Sequence, residues 1–199
     1  MKRIVLASGN AGKLREIGEL LAPLDLEVLP QSVFGIAEVD ESAPTFVENA
    51  LLKARHAASR AKLPALADDS GLMVDALDGA PGVYSARYAG PAATDEQNLR
   101  KLLSALDGIP EDLRTARFHC VVVFVLRPQD PRPLIFEGTW EGWILTEAAG
   151  QGGFGYDPVF CVPTHGCSAA QLTLSTKNAL SHRGQALRKL IGGLSKVIP

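Results

Sequence analysis

The segment FHCVVVFVL at residues 118–126 constrains the fold more than any other part of the sequence. It is almost continuously apolar and rich in β-branched and aromatic residues, a pattern typical of a strand that is covered on both faces. A strand of this kind lies inside a sheet, with other elements packed above and below it. We therefore expect residues 118–126 to form the central strand of the fold.

Weaker strand signals surround this segment. Short apolar runs predict strands at 4–6, at 26–29 and again at 159–162. The stretch PALADDSGLMV at 64–74 predicts a short strand that ends in an acidic tip at Asp68 and Asp69. The stretch at 133–145 alternates loosely around two glycines and predicts either a hairpin or one bent strand.

Helix signals alternate with the first strands. Apolar spacings of three and four residues predict a helix from Leu14 that Pro23 ends. Capping pairs predict two further helix starts, Thr45 with Glu48 and Thr94 with Gln97. A last helix is predicted from an apolar stripe of Leu180, Leu187, Leu190, Ile191 and Leu194. Together these elements predict an α/β fold with a mixed, twisted central sheet flanked by helices.

Length and charge narrow the class of protein. A chain of 199 residues suits one domain, or one domain with two lobes, and no linker or repeat divides it, so we expect a single domain over 1–199. The 20 basic and 22 acidic residues leave a net charge of -2, which argues against a nucleic-acid coat protein or a membrane-surface binder. No apolar stretch approaches the roughly 18 residues of a membrane span. Three sparse cysteines favour a reducing compartment, so we expect a soluble cytoplasmic protein.

The stretch ASGNAGK at 7–13 joins the first strand to the first helix. Its glycines let the backbone approach a ligand, the helix start presents free N–H groups, and Lys13 adds positive charge, all of which suit an anion. It lacks the spacing GxxxxGK[ST] of a P-loop. The alternative is a plain strand-to-helix turn with Asn10 as the N-cap.

Acidic residues suggest a second chemical feature. Asp68 and Asp69 stand side by side, where an enzyme places ligands for a divalent cation or a base that acts on water. The alternative is a solvated Asp-Ser-Gly turn at Ser70 and Gly71. Glu41 lies in an irregular loop, and it is either solvated or folded over the same site.

Two further clusters leave alternatives open. GGFGYDP at 152–158 offers either an aromatic platform for a planar ring or a turn whose Phe154 and Tyr156 fill the core. Lys177, His182 and Arg183, expected near the start of the last helix, either bind phosphate and carbonyl oxygens or form a charged surface turn. The spacing of Cys161, His165 and Cys167 lacks the CxxC pair of a zinc site, so core or surface thiols are favoured there.

Seven motifs occur together in one order along the chain: SGNAGK, TFVENALLKA, ADDSGL, GAPGVYSARYAG, RFHCVV, GGFGYDPVF and SHRGQAL. In this order they resemble the Ham1/RdgB family of inosine and xanthosine triphosphate pyrophosphatases. Any one of these motifs is weak evidence, but the whole set is specific. The resemblance covers nearly the whole chain.

The resemblance implies a Mg²⁺-dependent hydrolase that cuts deaminated purine nucleoside triphosphates (ITP, dITP, XTP) between the α and β phosphates. The products would be the monophosphate and pyrophosphate, and the reaction would clean the nucleotide pool. The implied fold is an elongated mixed sheet with two lobes and a substrate cleft between them. The implied assembly is a homodimer, and its partner is a small-molecule nucleotide rather than a nucleic acid or a membrane.

The resemblance also implies a role for each matching residue. Asp69 would activate the water, Glu41 and Asp69 would hold the metal, and Asp68 would support them. The substrate would be bound at Ser8, Gly9, Asn10, Ala11, Gly12, Lys13, Ser70, Phe154, Gly155, Tyr156, Asp157, Lys177, His182 and Arg183. The first six would hold phosphates, 154–157 would contact base and sugar, and the last three would close on the base edge and phosphates.

The chain departs from the family pattern in two places. Ser8 stands where the family often has Thr, which keeps the hydroxyl, and residues 164–176 lack some charges of the relatives. Two rival interpretations remain, a Maf-type pyrophosphatase that prefers other nucleotides and a nucleotide-binding module without catalysis. The motifs SHRGQAL and GGFGYDP argue against the first, and Asp69 beside a metal ligand argues against the second.

Overall fold

A computed structural model describes residues 2–194 of the chain. The strands are β1 Lys2–Leu6, β2 Leu26–Pro30, β3 Ala65–Val74, β4 Thr115–Val125, β5 Leu134–Ile144, β6 Phe160–Val162 and β7 Cys167–Ser168. The helices are α1 Ala11–Leu21, α2 Phe46–Ala61, α3 Asp95–Ala105, α4 Leu174–Leu180 and α5 His182–Leu194. No helix within 2–194 is long and apolar enough to cross a membrane.

The strands form one mixed sheet of seven, in the order β2-β1-β3-β4-β5-β6-β7. Strand β1 pairs in parallel with β2 and β3, whereas β6 pairs antiparallel with β5 and β7. Strand β4 stands fourth of the seven, as the apolar run at 118–126 predicted. The predicted α/β fold with a mixed sheet and flanking helices is confirmed.

The chain divides into two compact units. Within the described residues, the first unit comprises 2–69, 120–138 and 183–194, and the second comprises 70–119 and 139–182. Each unit has its own hydrophobic core.

The first unit has helices on both faces of its strands. Consecutive side chains of a strand point to opposite faces, so each strand contributes to two layers. On β4, Cys120, Val122 and Phe124 pack with α1 and α5, whereas the alternate valines pack against α2. This arrangement is the physical reason why β4 is apolar on both faces from Cys120 to Val125.

Helix α2 packs through small side chains. Ala50, Ala54, Ala57 and Ala58 are all fully buried, and their spacing places them on one face of the helix. Thr45 caps the helix by accepting a hydrogen bond from the N–H of Glu48, as predicted. Small residues allow the helix to lie close to the sheet, which brings the rest of its inner face near the strands.

The second unit is built around aromatic rings and the leucines of α3. The ring of Phe118 lies 4.6 Å from that of Phe160, and Trp140 lies 5.2 Å from Phe160. Leu102 of α3 and Leu106, the C-cap residue of that helix, are fully buried against this cluster. Thr94 begins α3 with a complete capping box, which confirms the start predicted from its spacing to Gln97.

Two sequence predictions about element ends are wrong. Strand β3 does not end in an acidic tip and turn, because it continues through Asp68, Asp69 and Ser70 to Val74. Both carboxylates are buried against positively charged side chains. Because these ion pairs offset the cost of burying the charges, the strand continues through both residues. The last helix also does not include Leu180: that residue ends α4, and Ser181 separates it from α5.

The stretch at 133–145 forms one strand, β5, and the hairpin alternative is wrong. Gly142 marks a close approach of two strands rather than a turn. A Cβ at this position would lie 2.3 Å from the carbonyl oxygen of Cys161, so only glycine fits.

Candidate active site

Asp68 and Asp69 face opposite sides of the sheet because they are consecutive residues of β3. Asp68 lies on the face that α1 and α5 cover, and it contacts Lys13 and Arg183. Asp69 lies on the face that α2 covers, and it contacts Lys53. The acidic pair therefore supplies two separate charge sites within the first unit.

Asp68 is held ionised by its neighbours. It is only 1% exposed, and one of its carboxylate oxygens lies 3.0 Å from the ammonium of Lys13 and 3.2 Å from the guanidinium of Arg183. Burial would raise its pKa, but attraction from these cations and from Lys53 outweighs burial and holds the pKa well below its ordinary value. The buried charge is therefore stable at neutral pH.

Arg183 is also bound to a carboxylate that the sequence analysis missed. Its guanidinium forms an ion pair with Glu16 of α1, and both side chains are 2% exposed. Glu16 lies four residues before Leu20, at the edge of the apolar face of α1. A charged residue at this position was the only local indication in the sequence that its side chain is buried. The network Glu16, Arg183, Asp68 and Lys13 connects α5 and α1 to β3.

Asp69 and Glu41 come together through one ammonium group. The Nζ atom of Lys53 lies 2.9 Å from Oδ1 of Asp69 and 2.8 Å from Oε1 of Glu41. Lys53 was not among the residues predicted for the site from the sequence. It follows the buried Ala50 by three residues, and a lysine near the inner face of an alanine-lined helix was the signal that could have found it.

The second oxygen of Asp69 is available for chemistry. Oδ2 is buried and has no hydrogen-bond partner among residues 2–194. Burial raises the pKa of Asp69 above its ordinary value, although Lys53 and Lys13 oppose this shift. A buried carboxylate with a raised pKa and an unused oxygen has the properties of a general base or a cation ligand.

Glu41 and Asp69 fit a divalent cation. Carboxylate oxygens are the ligands that Mg²⁺ prefers, and the Lys53 ammonium shows that a positive charge can bridge these two groups. Residues 2–194 contain no group of three His, Cys, Asp or Glu side chains arranged to hold a metal. Water and a bound ligand would complete the coordination, as is usual for Mg²⁺.

The loop at 8–13 combines a turn with a helix cap. The hydroxyl of Ser8 accepts the N–H of Asn10 at 3.2 Å, and the Asn10 side chain accepts the N–H of Lys13 at 3.0 Å. Asn10 is thus the N-cap of α1, and the first turn of that helix contains no acidic residue. A Cβ at Gly9 would lie 2.3 Å from a carboxylate oxygen of Glu38, so Glu38 lies directly against this loop. The first turn of α1 therefore has no acidic side chain of its own to offset the helix dipole, and the carboxylate nearest Gly9 comes from Glu38.

The second unit positions a lysine beside an aromatic ring. The ammonium of Lys177 forms an ion pair with Asp157 and lies 4.8 Å from the centre of the Phe154 ring. Lys177 and Asp157 are each 3% exposed, so their charges are almost shielded from water. Asp157 also accepts the N–H of Phe154 at 2.8 Å, which fixes the loop around the pair.

The glycine-rich loop has geometric requirements of its own. Gly153 has φ +73°, and a Cβ there would lie 2.0 Å from Oδ2 of Asp157. The N–H of Gly155 donates to the carboxylate of Asp95 at 2.7 Å. Asp95 is the first residue of α3, and its link to residue 155 could not be predicted because the two lie far apart in the sequence.

The two aromatic residues of this loop differ. Tyr156 is 5% exposed and its hydroxyl donates to the carbonyl of Ser85 at 2.8 Å, so it fills the core. Phe154 is only partly buried, so part of its ring surface faces away from the core. His182 stacks on Phe118 with ring centres 4.8 Å apart. Ser70 lies on β3 and is partly exposed.

The structure therefore distributes the predicted site residues over both units. Ser8 to Lys13, Glu41, Asp68, Asp69 and Arg183 belong to the first unit, and Ser70, Phe154 to Asp157, Lys177 and His182 belong to the second. Lys177 and Arg183 do not form the predicted cluster at one helix start, because Lys177 lies on α4 and its partner is Asp157.

Comparison with known proteins decides the family. The sequence model described as the Ham1 family matches residues 4–192. The chain belongs to the Ham1 family. A Ham1 relative from Vibrio parahaemolyticus, named dITP/XTP pyrophosphatase, is 58% identical over 98% of each chain.

Solved structures of Ham1 proteins agree with this assignment. A HAM1 protein from Coxiella burnetii is 52% identical, covers 98% of this chain and 100% of its own, and superimposes with a TM-score of 0.90. The nucleoside-triphosphatase / dITP/XTP pyrophosphatase of Mycobacterium abscessus is 40% identical, covers 95% of this chain and 98% of its own, and has a TM-score of 0.74. The family predicted from the seven motifs is confirmed.

Proposed function

We propose that this chain hydrolyses deaminated purine nucleoside triphosphates, ITP, dITP and XTP, to the monophosphate and pyrophosphate. The observation that carries the proposal is Asp69, a buried carboxylate with a raised pKa and an unused oxygen beside Glu41. The names of the Ham1 relatives, dITP/XTP pyrophosphatase, support the same substrate class.

Glu41 and Asp69 hold a Mg²⁺ ion in this proposal. When bound, the ion offsets the negative charge that develops on the phosphate oxygens during the reaction. The donor set supports this assignment, because two carboxylates from different parts of the chain already share one positive charge. Asp68 keeps its own charge engaged with Lys13 and Arg183, and it supports the position of Asp69 on the strand.

Asp69 acts as the general base. A water molecule attacks the α phosphorus while Asp69 takes its proton, and the bond from that phosphorus to the α–β bridging oxygen breaks. Pyrophosphate leaves with the electron pair of that bond. A carboxylate whose pKa is raised by burial accepts a proton more readily than an exposed one, which favours this role.

The loop from Ser8 to Lys13 holds the phosphates. Gly9 and Gly12 let the backbone approach the ligand, and Ala11 begins the helix whose free N–H groups follow the Asn10 cap. The Lys13 side chain adds a positive charge that already lies beside Asp68. The reaction transfers the α-phosphoryl group to water.

The second unit supplies the residues that select the base. Lys177, fixed by Asp157 beside the Phe154 ring, donates to the carbonyl at the purine 6-position. Adenine carries an amino group there, which does not accept this hydrogen bond, so an adenine nucleotide would lose it at a cost of about 1 to 3 kcal/mol. Gly155 and Tyr156 shape the loop around the base, while Ser70 and His182 contact the substrate.

Residues 1–199 act as one pyrophosphatase domain, consistent with a family match over 4–192. The protein functions as a cytoplasmic homodimer and takes a nucleotide rather than a nucleic acid as its partner.

Arg183 acts by holding Asp68 and Glu16, since its guanidinium is buried between them.

The experiment measures pyrophosphate release from ITP, dITP, XTP, GTP and ATP, with and without Mg²⁺. We expect release from the first three, little from ATP, and none without the metal. Replacing Asp69→Asn should abolish turnover while nucleotide binding, measured by calorimetry, is retained. Asp75→Asn, an exposed carboxylate on the segment after β3, serves as the control and should leave turnover unchanged. Turnover that persists in the Asp69 variant would refute the base assignment.

A further inference from the structure

Lys53 occupies the position that the proposed function gives to a divalent cation. Its ammonium contacts one oxygen of Asp69 and one oxygen of Glu41, at 2.9 and 2.8 Å. The side chain of Lys53 is 12% exposed, although lysine is normally a surface residue. Helix α2 therefore directs a positive charge into the carboxylate site rather than into water.

Electrostatics keeps this ammonium charged. Burial would lower the pKa of Lys53, but attraction from Asp69, Asp68 and Glu41 outweighs burial and raises the pKa above its ordinary value. The contact is thus an ion pair between Lys53 and the two carboxylates.

The carboxylates retain capacity for a stronger cation. Oδ2 of Asp69 is buried without a hydrogen-bond partner among the residues that the structure describes. One ammonium therefore leaves part of this carboxylate unused. A divalent ion carries twice the charge and accepts several oxygen ligands, so it would use these oxygens more fully.

An ammonium and a divalent cation held by the same two carboxylates repel each other. An ammonium at hydrogen-bond distance from both carboxylates would lie within a few ångströms of a cation bound to them, where repulsion is strong in a buried site. A lysine side chain has rotatable bonds along its whole length, so Lys53 can leave without moving α2.

We propose that the Lys53 ammonium competes with the metal ion for Glu41 and Asp69. The metal ion binds between these two carboxylates only when the ammonium moves away. This inference rests on the proposed function for the identity of the metal site. It adds that the resident lysine weakens metal binding and keeps the two carboxylates in place when no metal is bound. Lys53 is a positioning residue in this role.

The first test is metal titration of the purified, metal-free protein without substrate. Binding of Mn²⁺, which replaces Mg²⁺ and is detected by the loss of its free electron paramagnetic resonance signal, gives the dissociation constant. Lys53→Met keeps the stem and removes the charge, and we expect Mn²⁺ to bind about tenfold more tightly. Arg60→Met removes a positive charge from the exposed last turn of α2, and it should change binding less than twofold. Equal or weaker binding in the Lys53 variant would overturn the proposal.

A second variant tests whether the tighter Mn²⁺ binding of Lys53→Met occurs at Glu41. Adding Glu41→Gln to Lys53→Met should remove the tenfold gain, because one of the two bridged carboxylates is then neutral. A gain that survives this change would place the ion elsewhere and would also overturn the proposal.

A third test uses the unaltered protein and does not depend on whether the variants fold. With ¹⁵N-labelled lysine, the buried ammonium of Lys53 should give an Nζ signal that exchanges slowly with water in the metal-free protein. Saturation with Mg²⁺ should abolish this signal, because the ammonium moves into water. An unchanged signal at saturating metal would contradict the proposal.

The outcomes separate this inference from the proposed function. If the metal displaces Lys53 but no pyrophosphate is released from ITP, dITP or XTP, the competition stands and the proposed reaction fails. If pyrophosphate is released but Lys53 does not move, the reaction stands and the competition is wrong.

Discussion

Asp68 and Asp69 are neighbours on β3, yet their carboxylates bind cations from helices on opposite faces of the sheet. Asp68 is bound by Lys13 and Arg183, and Asp69 by Lys53. The two have opposite shifts in pKa, because the cations outweigh burial at Asp68 and burial outweighs the cations at Asp69. One residue is therefore suited to a structural charge and the other to chemistry.

Replacing Asp68→Asn should destabilise the fold at neutral pH. The change leaves the buried cations Lys13 and Arg183 with less compensation, and breaking a buried pair in this way costs about 3 kcal/mol. Urea denaturation at pH 7 measures the loss. Asp75→Asn, which alters an exposed pair with Arg117, should cost less than about 1 kcal/mol.

The same pair predicts a dependence on pH. The pKa of Asp68 in the folded protein lies below its ordinary value of 3.8, so the unfolded chain takes up the proton first as the pH falls. The stability that Asp68 provides is complete well above pH 3.8 and is lost as the pH falls below that value. The difference in unfolding free energy between wild type and Asp68→Asn should therefore shrink in acid. A difference that stays constant down to pH 3 would contradict the shift.

Replacing Lys177→Met should reduce selectivity for a 6-carbonyl. The variant keeps the side-chain stem over Phe154 but removes the donor, so kcat/KM for ITP should fall about 10- to 100-fold while that for ATP changes little. Pyrophosphate release from both nucleotides measures the ratio.

Lys177→Met also removes the buried ion pair with Asp157, and the resulting loss of stability could by itself lower the activity. The double variant Lys177→Met with Asp157→Asn removes both charges. We expect it to recover much of the melting temperature but not the preference for ITP. Recovery of both would show that Lys177 acts through stability alone.

Replacing Asp95→Ala should loosen the loop that is proposed to bind the base. Its carboxylate holds the N–H of Gly155 at 2.7 Å, and loss of one such exposed hydrogen bond is worth about 1 kcal/mol. We expect KM for ITP to rise about fivefold with kcat nearly unchanged. Glu96→Ala is the matched control, because Glu96 is the other acidic residue in the first turn of α3. A similar rise in both variants would assign the effect to the helix rather than to the loop.

Much of the fold could be predicted from local sequence patterns. The uninterrupted apolar run identified β4 as the central strand, and hydroxyl residues spaced three before Glu48 or Gln97 identified the starts of α2 and α3. These predictions succeeded because side-chain alternation and helix capping involve residues close together in the chain.

Other features could not be predicted because they depend on distant partners. An acidic pair before Ser70 and Gly71 normally indicates a turn, but the cations opposite Asp68 and Asp69 let β3 continue to Val74. The role of Lys53 was equally hidden, since its partners lie 12 and 16 residues away along the chain.

The sequence by itself determined the order of β1 to β6 and of α1 to α3, the family and most of the residues able to carry chemistry, because periodicity, capping and motif order are all local or linear properties. Only the tertiary structure decided which charges meet. It placed Arg183 between Glu16 and Asp68, and Lys53 between Glu41 and Asp69. The physical reason is that a buried charge takes its pKa and its partner from the groups packed around it, and packing joins residues that are far apart in the chain.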